Sequence, residues 1–420
     1  MLKMLPRCCR GILKALKSPK VWMMMLLYCI TFAIILPVIC VNLKHSLYYI
    51  NTKAKTVAQE EMKKQNDERI HHAEIFFTML EKGKFHQFFN PSLSGKKNKI
   101  DIAISVISVS RNKKRIDQYE PRYLTQVVWK FLSLLHRETE NEQYSMNIQL
   151  SICNVDSDPK FYTEARNMSK YVPVFDRFST RTLNMDHILE KEKQDYVFCL
   201  NKSRELYHPK FVLLVEDDAL PHDDFFVILQ YIIQQHLGHK EAHGLEMLNN
   251  KPLLFVKMYH PERLLSFYSL EPERLAELFA MACLFGTVCL PFYFYIAGPY
   301  KSTKELYLIW MGLITYFLLL ATAIGRSNFV ELRRVSKYLY SYVPAPGCCT
   351  PAMLFPEYGA EVVIDYLSKI KCKNRFGKDM ALDQLRQEKR VSAYMIQPNL
   401  FTHIGMYSSL RDAILDPHIV

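Results

Sequence analysis

Three stretches of this chain are apolar without a single charge: Val21 to Val41, Leu278 to Tyr300 and Leu306 to Gly325. About 20 such residues cross a bilayer as a helix. A core helix is seldom apolar on every side for so long, so each stretch is expected to span a membrane. The second and third are separated only by Lys301-Ser302-Thr303-Lys304-Glu305, which makes them a hairpin.

Elsewhere the pattern is that of an α/β protein. Ile102-Ala103-Ile104-Ser105-Val106-Ile107-Ser108-Val109 is a β-branched apolar run, the mark of a strand buried on both faces. Leu124, Val127, Val128, Phe131, Leu132 and Leu135 then recur at helical spacing. Strands are expected at Met146 to Val155, Phe211 to Val215 and Leu253 to Met258, with a helical stretch at about Leu183 to Glu192. Beyond the hairpin, Val335 to Val343 and Val391 to Ile396 read as strands. Glu361 to Ile370 and Asp379 to Gln387 read as helices. Strand and helix in alternation predict a parallel, Rossmann-like sheet. The part after the hairpin has too little sheet to stand alone, so the hairpin is expected to interrupt one domain.

Charge orients the chain. Lys3, Arg7, Arg10, Lys14, Lys17 and Lys20 precede the first span with no acid among them, which places the N-terminus in the cytosol. No small-x-small cleavage site follows that span, so it reads as an uncleaved signal anchor. The expected organisation is a cytosolic tail over 1–20, an anchor over 21–41 and a luminal stem over 42–99. A first catalytic segment over 100–277, a hairpin over 278–325 with its cytosolic loop at 301–305, and a second catalytic segment over 326–420 complete it. The sequons at Asn167 and Asn201 fall in the luminal part as glycosylation candidates. Cys153, Cys199, Cys348, Cys349 and Cys372 share it, where disulfides are permitted, in a connectivity that sequence does not give. The formal net charge is +12, but no nucleic-acid-binding motif accompanies it, and no nucleic-acid partner is expected.

The candidate chemistry sits at strand ends. Phe211-Val212-Leu213-Leu214-Val215 closes on Glu216-Asp217-Asp218, where an open α/β sheet places its ligands. Clustered carboxylates suit a hard cation such as Mg²⁺ or Mn²⁺, which stabilises a diphosphate leaving group. A solvated turn is the plainer reading of the triplet. The first strand delivers Val109, Ser110 and Arg111 to the same edge and the second delivers Asp156. Ser110 and the backbone suit a base, Asp156 a ribose or uracil, and Arg111 a diphosphate. His403, past the last strand, is a further metal or diphosphate candidate. A transfer with inversion needs a carboxylate base, for which Asp379 and, second, Asp383 stand at a helix start. Ordinary placement of acids in a first helical turn accounts for them equally. No nucleophile elbow, phosphate-binding Walker loop, zinc-type cysteine pairing or HExxH motif is present.

The anchor, the strand ending in Glu216-Asp217-Asp218, and the hairpin before Pro344-Ala345-Pro346-Gly347-Cys348-Cys349-Thr350-Pro351 together resemble the family of post-GPI-attachment to proteins factor 4. Those are Golgi transferases that add N-acetylgalactosamine to the GPI glycan. The resemblance covers essentially the whole chain. His403-Ile404-Gly405-Met406-Tyr407-Ser408-Ser409-Leu410 is also similar to the N-acetylglucosaminyltransferase IV family that branches N-glycans. The resemblance implies a GT-A-like glycosyltransferase domain, UDP-GalNAc as donor, Mn²⁺ as metal, and a mannose of GPI-anchored proteins as acceptor. It assigns Glu216, Asp217 and Asp218 to the place of a DxD-type motif, from which the leading glutamate departs. It implies a multi-pass Golgi membrane protein with a luminal catalytic domain. The alternatives are an N-acetylglucosaminyltransferase acting on N-glycans and a non-catalytic protein that binds GPI proteins.

Overall fold

The computed structural model describes residues 18–52, 54–83, 99–111, 119–139, 145–180, 187–237, 247–248, 251–268, 272–408 and 413–415. Most of the tail expected over 1–20 lies outside them. The chain divides into two compact units, Met1–Val57 with Glu262–Leu332, and Ala58–Pro261 with Arg333–Val420.

The first unit carries three helices long and apolar enough to cross a membrane, Pro19–Cys40, Pro272–Ala297 and Thr303–Ile324. Pro37 has no N–H to donate, and the first helix passes through a π-helical turn at Thr31–Ile35 just before it. Gly286 allows the two hairpin helices to approach: a Cβ there would lie 2.9 Å from Ile314, the role of small residues between membrane helices. Ser302 caps the third helix by accepting the Glu305 N–H. Glu305 in turn accepts from Ser18 Oγ at 3.2 Å and pairs with Lys20 Nζ at 3.3 Å. The start of the first helix and the hairpin loop therefore meet at one end of the helical bundle.

The second unit is a mixed α/β fold. It opens with α1, Lys55–Glu81, followed by β1, Ile102–Ser108, and α2, Tyr123–Thr139. Next come β2, Ile148–Asn154, β3, Val174–Asp176, and α3, Ile188–Tyr207. Then β4, Phe211–Glu216, β5, Ala219–Pro221, α4, Phe225–Ile232, and β6, Lys251–Lys257, lead up to the membrane hairpin. After it the chain adds β7, Ser341–Pro344, β8, Ala352–Pro356, α5, Glu357–Lys369, α6, Lys378–Lys389, β9, Ser392–Gln397, and β10, Phe401–His403.

The main sheet runs β3-β2-β1-β4-β8-β6-β9-β7, with Met247–Leu248 added beside β6. Strands β3, β2, β1 and β4 are mutually parallel, and so are β6 and β9. Strand β8 is antiparallel to both β4 and β6, and β7 is antiparallel to β9. The all-parallel sheet expected from sequence is thus corrected to a mixed one. Its joint is β8, five residues that follow Pro351 and end on Pro356, too short and too closely bound by proline to stand out as a strand. The expected strand from Val335 to Val343 is also corrected. Leu332–Val335 and Lys337–Leu339 are 3₁₀ turns, and the strand begins only at Ser341. Ser336 Oγ accepts the Tyr338 N–H and favours the turn, while Val335 is 85% exposed with nothing to pair against.

The core explains these elements. Phe211 to Val215 of β4 are buried at both faces, as are Leu124, Val127, Val128 and Phe131 of α2. Phe131, Phe225 and Phe401 pack edge to face. Ala73, Phe76 and Phe77 of α1 belong to the same cluster, so the end of the helix in the segment expected as a stem packs into the core. Gly359 in α5 lets that helix lie against β6, because a Cβ there would meet the Leu254 carbonyl oxygen at 2.0 Å. A disulfide, Cys153–Cys199, staples β2 to α3.

Candidate active site

Register puts the strand ends together. Ile107 is opposite Glu216 and Ser108 is opposite Asn154, so the residues that follow β1, β2 and β4 share one edge. They open onto a cavity of about 620 Å³ lined by Ser108 to Arg111, Val155, Ser157, Glu216 to Asp218, His403, Lys378 and residues of α3. Opposite β4, β5 and β10 form a small antiparallel pair in which His403 faces Ala219. The Ile404 N–H donates to the Asp218 carbonyl at 2.8 Å. A Cβ at Gly405 would lie 2.4 Å from Asp218 Oδ2, so glycine lets the chain pass directly over the carboxylate.

Each acid of the triplet has a cation beside it. Arg111 Nη2 pairs with Asp217 Oδ1 and, at 3.0 Å, with Asp218 Oδ2. Its Nη1 donates to the Tyr407 carbonyl at 2.6 Å, and the guanidinium lies 4.8 Å from the Tyr123 ring centroid. Ser108 Oγ donates to Asp217 Oδ2 at 2.8 Å. His403 Nε2 stands 3.6 Å from Asp218 Oδ2. Lys378 Nζ is 3.2 Å from Glu216 Oε1 and also pairs with Glu192 Oε1.

Burial sets the electrostatics. It pushes the Asp218 carboxyl upward, but Arg111 and His403 more than offset it and hold that group below the usual carboxylate range. Burial also disfavours a charged His403, yet the Asp218 carboxylate overcomes this and raises the imidazole above its ordinary 6.5. Glu216 is raised, because its burial outweighs the help of Lys378. Asp218 Oδ1 is buried with no hydrogen-bond partner, a costly state for a charged oxygen unless a cation meets it.

The structure therefore gathers Val109, Ser110, Arg111, Glu216, Asp217, Asp218 and His403 around one cavity. Asp156 has a different occupation. Its Oδ2 accepts the Ser110 N–H at 2.9 Å and its Oδ1 the Asp158 N–H at 2.7 Å, so it shapes the loop instead of lining the cavity. Asp379 and Asp383 do not line this cavity either. They border a small pocket of about 10 Å³ beside Lys257 and Cys348, where Asp383 pairs with Arg386 at 2.6 Å. Asn167 is exposed on a short helix, and Asn201 lies on α3 with its amide on Glu205 at 2.7 Å. Sequence reasoning missed Lys378 and Glu192. The only signal was the position of Lys378 at the helix start already suspected for Asp379. Glu192 is one of many charges on α3, and nothing in the spacing marks its face as the inner one.

The model of the family described as GPI-N-acetylgalactosamine transferase PGAP4 matches residues 102–402. That span holds β1 through most of β10, the triplet, Arg111 and both hairpin helices, and stops one residue before His403. The match takes in well over half of the chain, and the chain belongs to this family of GPI-N-acetylgalactosamine transferases.

Proposed function

We propose that the protein is a Golgi glycosyltransferase that moves N-acetylgalactosamine from UDP-GalNAc to a mannose of the GPI glycan, with inversion at the sugar carbon and with a metal ion, Mn²⁺, as cofactor. The observation that carries this reading is the meeting of three parallel strand ends at a cavity rimmed by Glu216, Asp217 and Asp218. Such an edge binds nucleotides in open α/β sheets, and the antiparallel β8 within it accords with a GT-A-like variation. The Cys153–Cys199 disulfide favours an oxidising lumen for this unit.

The donor set fits a hard divalent cation. Asp218 with its partnerless Oδ1, and His403 beside it, would hold the ion. Asp217 and Glu216 would add negative charge around it. Bound there, it would supply Lewis-acid stabilisation of the departing diphosphate. The chain's own groups have separable roles. Arg111 holds Asp218 ionised, works against the burial that raises Asp217, and adds fixed positive charge near the phosphates. The Ser110 loop, held by Asp156, offers backbone to the nucleoside. Glu192 lines the cavity, stays partly open at 35% side-chain exposure, and stands outside the acidic triplet that would surround the ion. It pairs with Lys378 and can take the proton from the acceptor hydroxyl. Asp379 and Asp383, expected in that role, face another pocket.

Transfer assays with purified full-length protein and a panel of UDP-sugars test this directly. UDP-GalNAc should be used and UDP-GlcNAc refused. Glu192→Gln should lower kcat by about 10²–10⁴-fold with little change in KM for the donor. Preference for UDP-GlcNAc would replace the donor assignment, and an undiminished Glu192→Gln would remove that residue as base.

A further inference from the structure

We propose that His260, Cys348 and Cys349 form a second metal site, outside the acidic cavity, that takes a thiophilic ion of the zinc or copper(I) class. The ligand atoms, one imidazole nitrogen and two sulfurs, all lie within 4.8 Å of one another. Cys348 and Cys349 are thiols. Nothing in the chemistry of sugar transfer uses them.

Local structure brings the three together. His260 follows β6 and is 2% exposed. Asn399, equally buried, clasps its backbone from both sides: it accepts the His260 N–H at 3.0 Å and donates from Nδ2 to the His260 carbonyl at 2.8 Å. The two cysteines lie in the loop between β7 and β8. Adjacent side chains on extended backbone point to opposite faces. Here both residues adopt the left-handed region, with φ of 63° and 65°, which L-residues with a Cβ seldom do, least of all in succession. The result is a sharp turn that holds both sulfurs near one imidazole. Lys257 fastens the turn from within, donating from Nζ to the carbonyls of Pro346, at 2.9 Å, and Cys348.

Thiolate and imidazole select zinc or copper(I) over the hard cations that carboxylates prefer. Two thiolates and a neutral imidazole balance the charge of Zn²⁺, and binding releases two thiol protons. A fourth position is left for water or for Asp379, whose Oδ2 receives the Cys349 N–H at 3.5 Å. Bound there, the ion ties the β7–β8 loop to the end of β6, next to the strand β8 that joins the two parallel halves of the sheet. The role is structural.

Elemental analysis of the full-length protein, purified from membranes in mild detergent without a histidine tag, decides the matter. The expected result is about one zinc or copper per chain, with Cys348→Ser and Cys349→Ser each lowering that content by about tenfold or more. The identity of the metal says which ion the site takes. Cobalt substitution should give a thiolate charge-transfer band in the parent protein and not in either variant. Protein that carries neither metal overturns the proposal, whatever the variants do. So does metal content that is unchanged in both serine variants, or a Cys348–Cys349 disulfide in the native protein.

Discussion

Asp218 and His403 carry opposite charge in a place that disfavours either charge alone. The folded imidazole titrates above its ordinary 6.5, so folding favours its protonated form. The stabilisation from the pair is complete below about pH 6.5 and is lost as pH rises through the raised value. Asp218 is held below the carboxylate range, so its own contribution disappears only in strong acid. In metal-free buffer the parent protein should exceed His403→Gln in unfolding stability by about 1 kcal/mol near pH 5.5. That gap should close toward about pH 9. A gap that stays constant with pH contradicts the assignment. At this scale the sequence told most where residues follow a buried strand. Arg111, Glu216, Asp217 and Asp218 could be read from the apolar runs that end just before them. Glu192 and Lys378 could not, because their meeting depends on how α3 and α6 are turned toward the sheet. Asp379 was one residue away from the side chain that reaches the cavity, and on a helix one residue is about 100° of rotation.

Among the elements, the ones with strong periodicity were legible. Strand β1, the apolar face of α2 and β4 all followed from the spacing of their hydrophobic residues. Strand β8 did not, since its five residues follow one proline and end on another, and its place in the sheet is fixed by pairing with two strands distant in sequence. Most of α3 was missed for another reason: its buried face mixes Glu190, Lys193 and Asp195 with Tyr196, Cys199 and Leu200, so no continuous apolar stripe marks it. The Cys153–Cys199 bond closes a separation of 46 residues. Replacing both cysteines by serine should cost about 2–4 kcal/mol in denaturant unfolding, with the folded fluorescence spectrum retained. Unchanged stability would mean that β2 and α3 are held by packing alone.

For the whole molecule, chain order is the decisive fact. A two-helix hairpin interrupts the segment that carries the sheet, and a third apolar helix precedes it. An acceptor glycan tethered to lipid stays within a few nanometres of the bilayer. An enzyme rooted in the same bilayer meets it at a raised effective concentration. Exchanging the hairpin for a short soluble linker, with folding verified, should spare transfer to a detached glycan. It should lower transfer to membrane-bound GPI proteins by about 10²–10⁴-fold. Equal loss on both acceptors would point to misfolding, and no loss on either would remove the hairpin from the account. The three long apolar helices and the hairpin were plain from composition, whereas the mixed order of the sheet needed the structure.

The central claim is that the acids at the end of β4 carry out the transfer of N-acetylgalactosamine. Mass spectrometry of GPI glycans from cells lacking the protein, restored either with the parent chain or with Asp218→Asn at equal abundance, tests it most directly. The account predicts that the parent chain brings back the added N-acetylhexosamine on the GPI mannose and that Asp218→Asn does not. Full restoration by Asp218→Asn would contradict it.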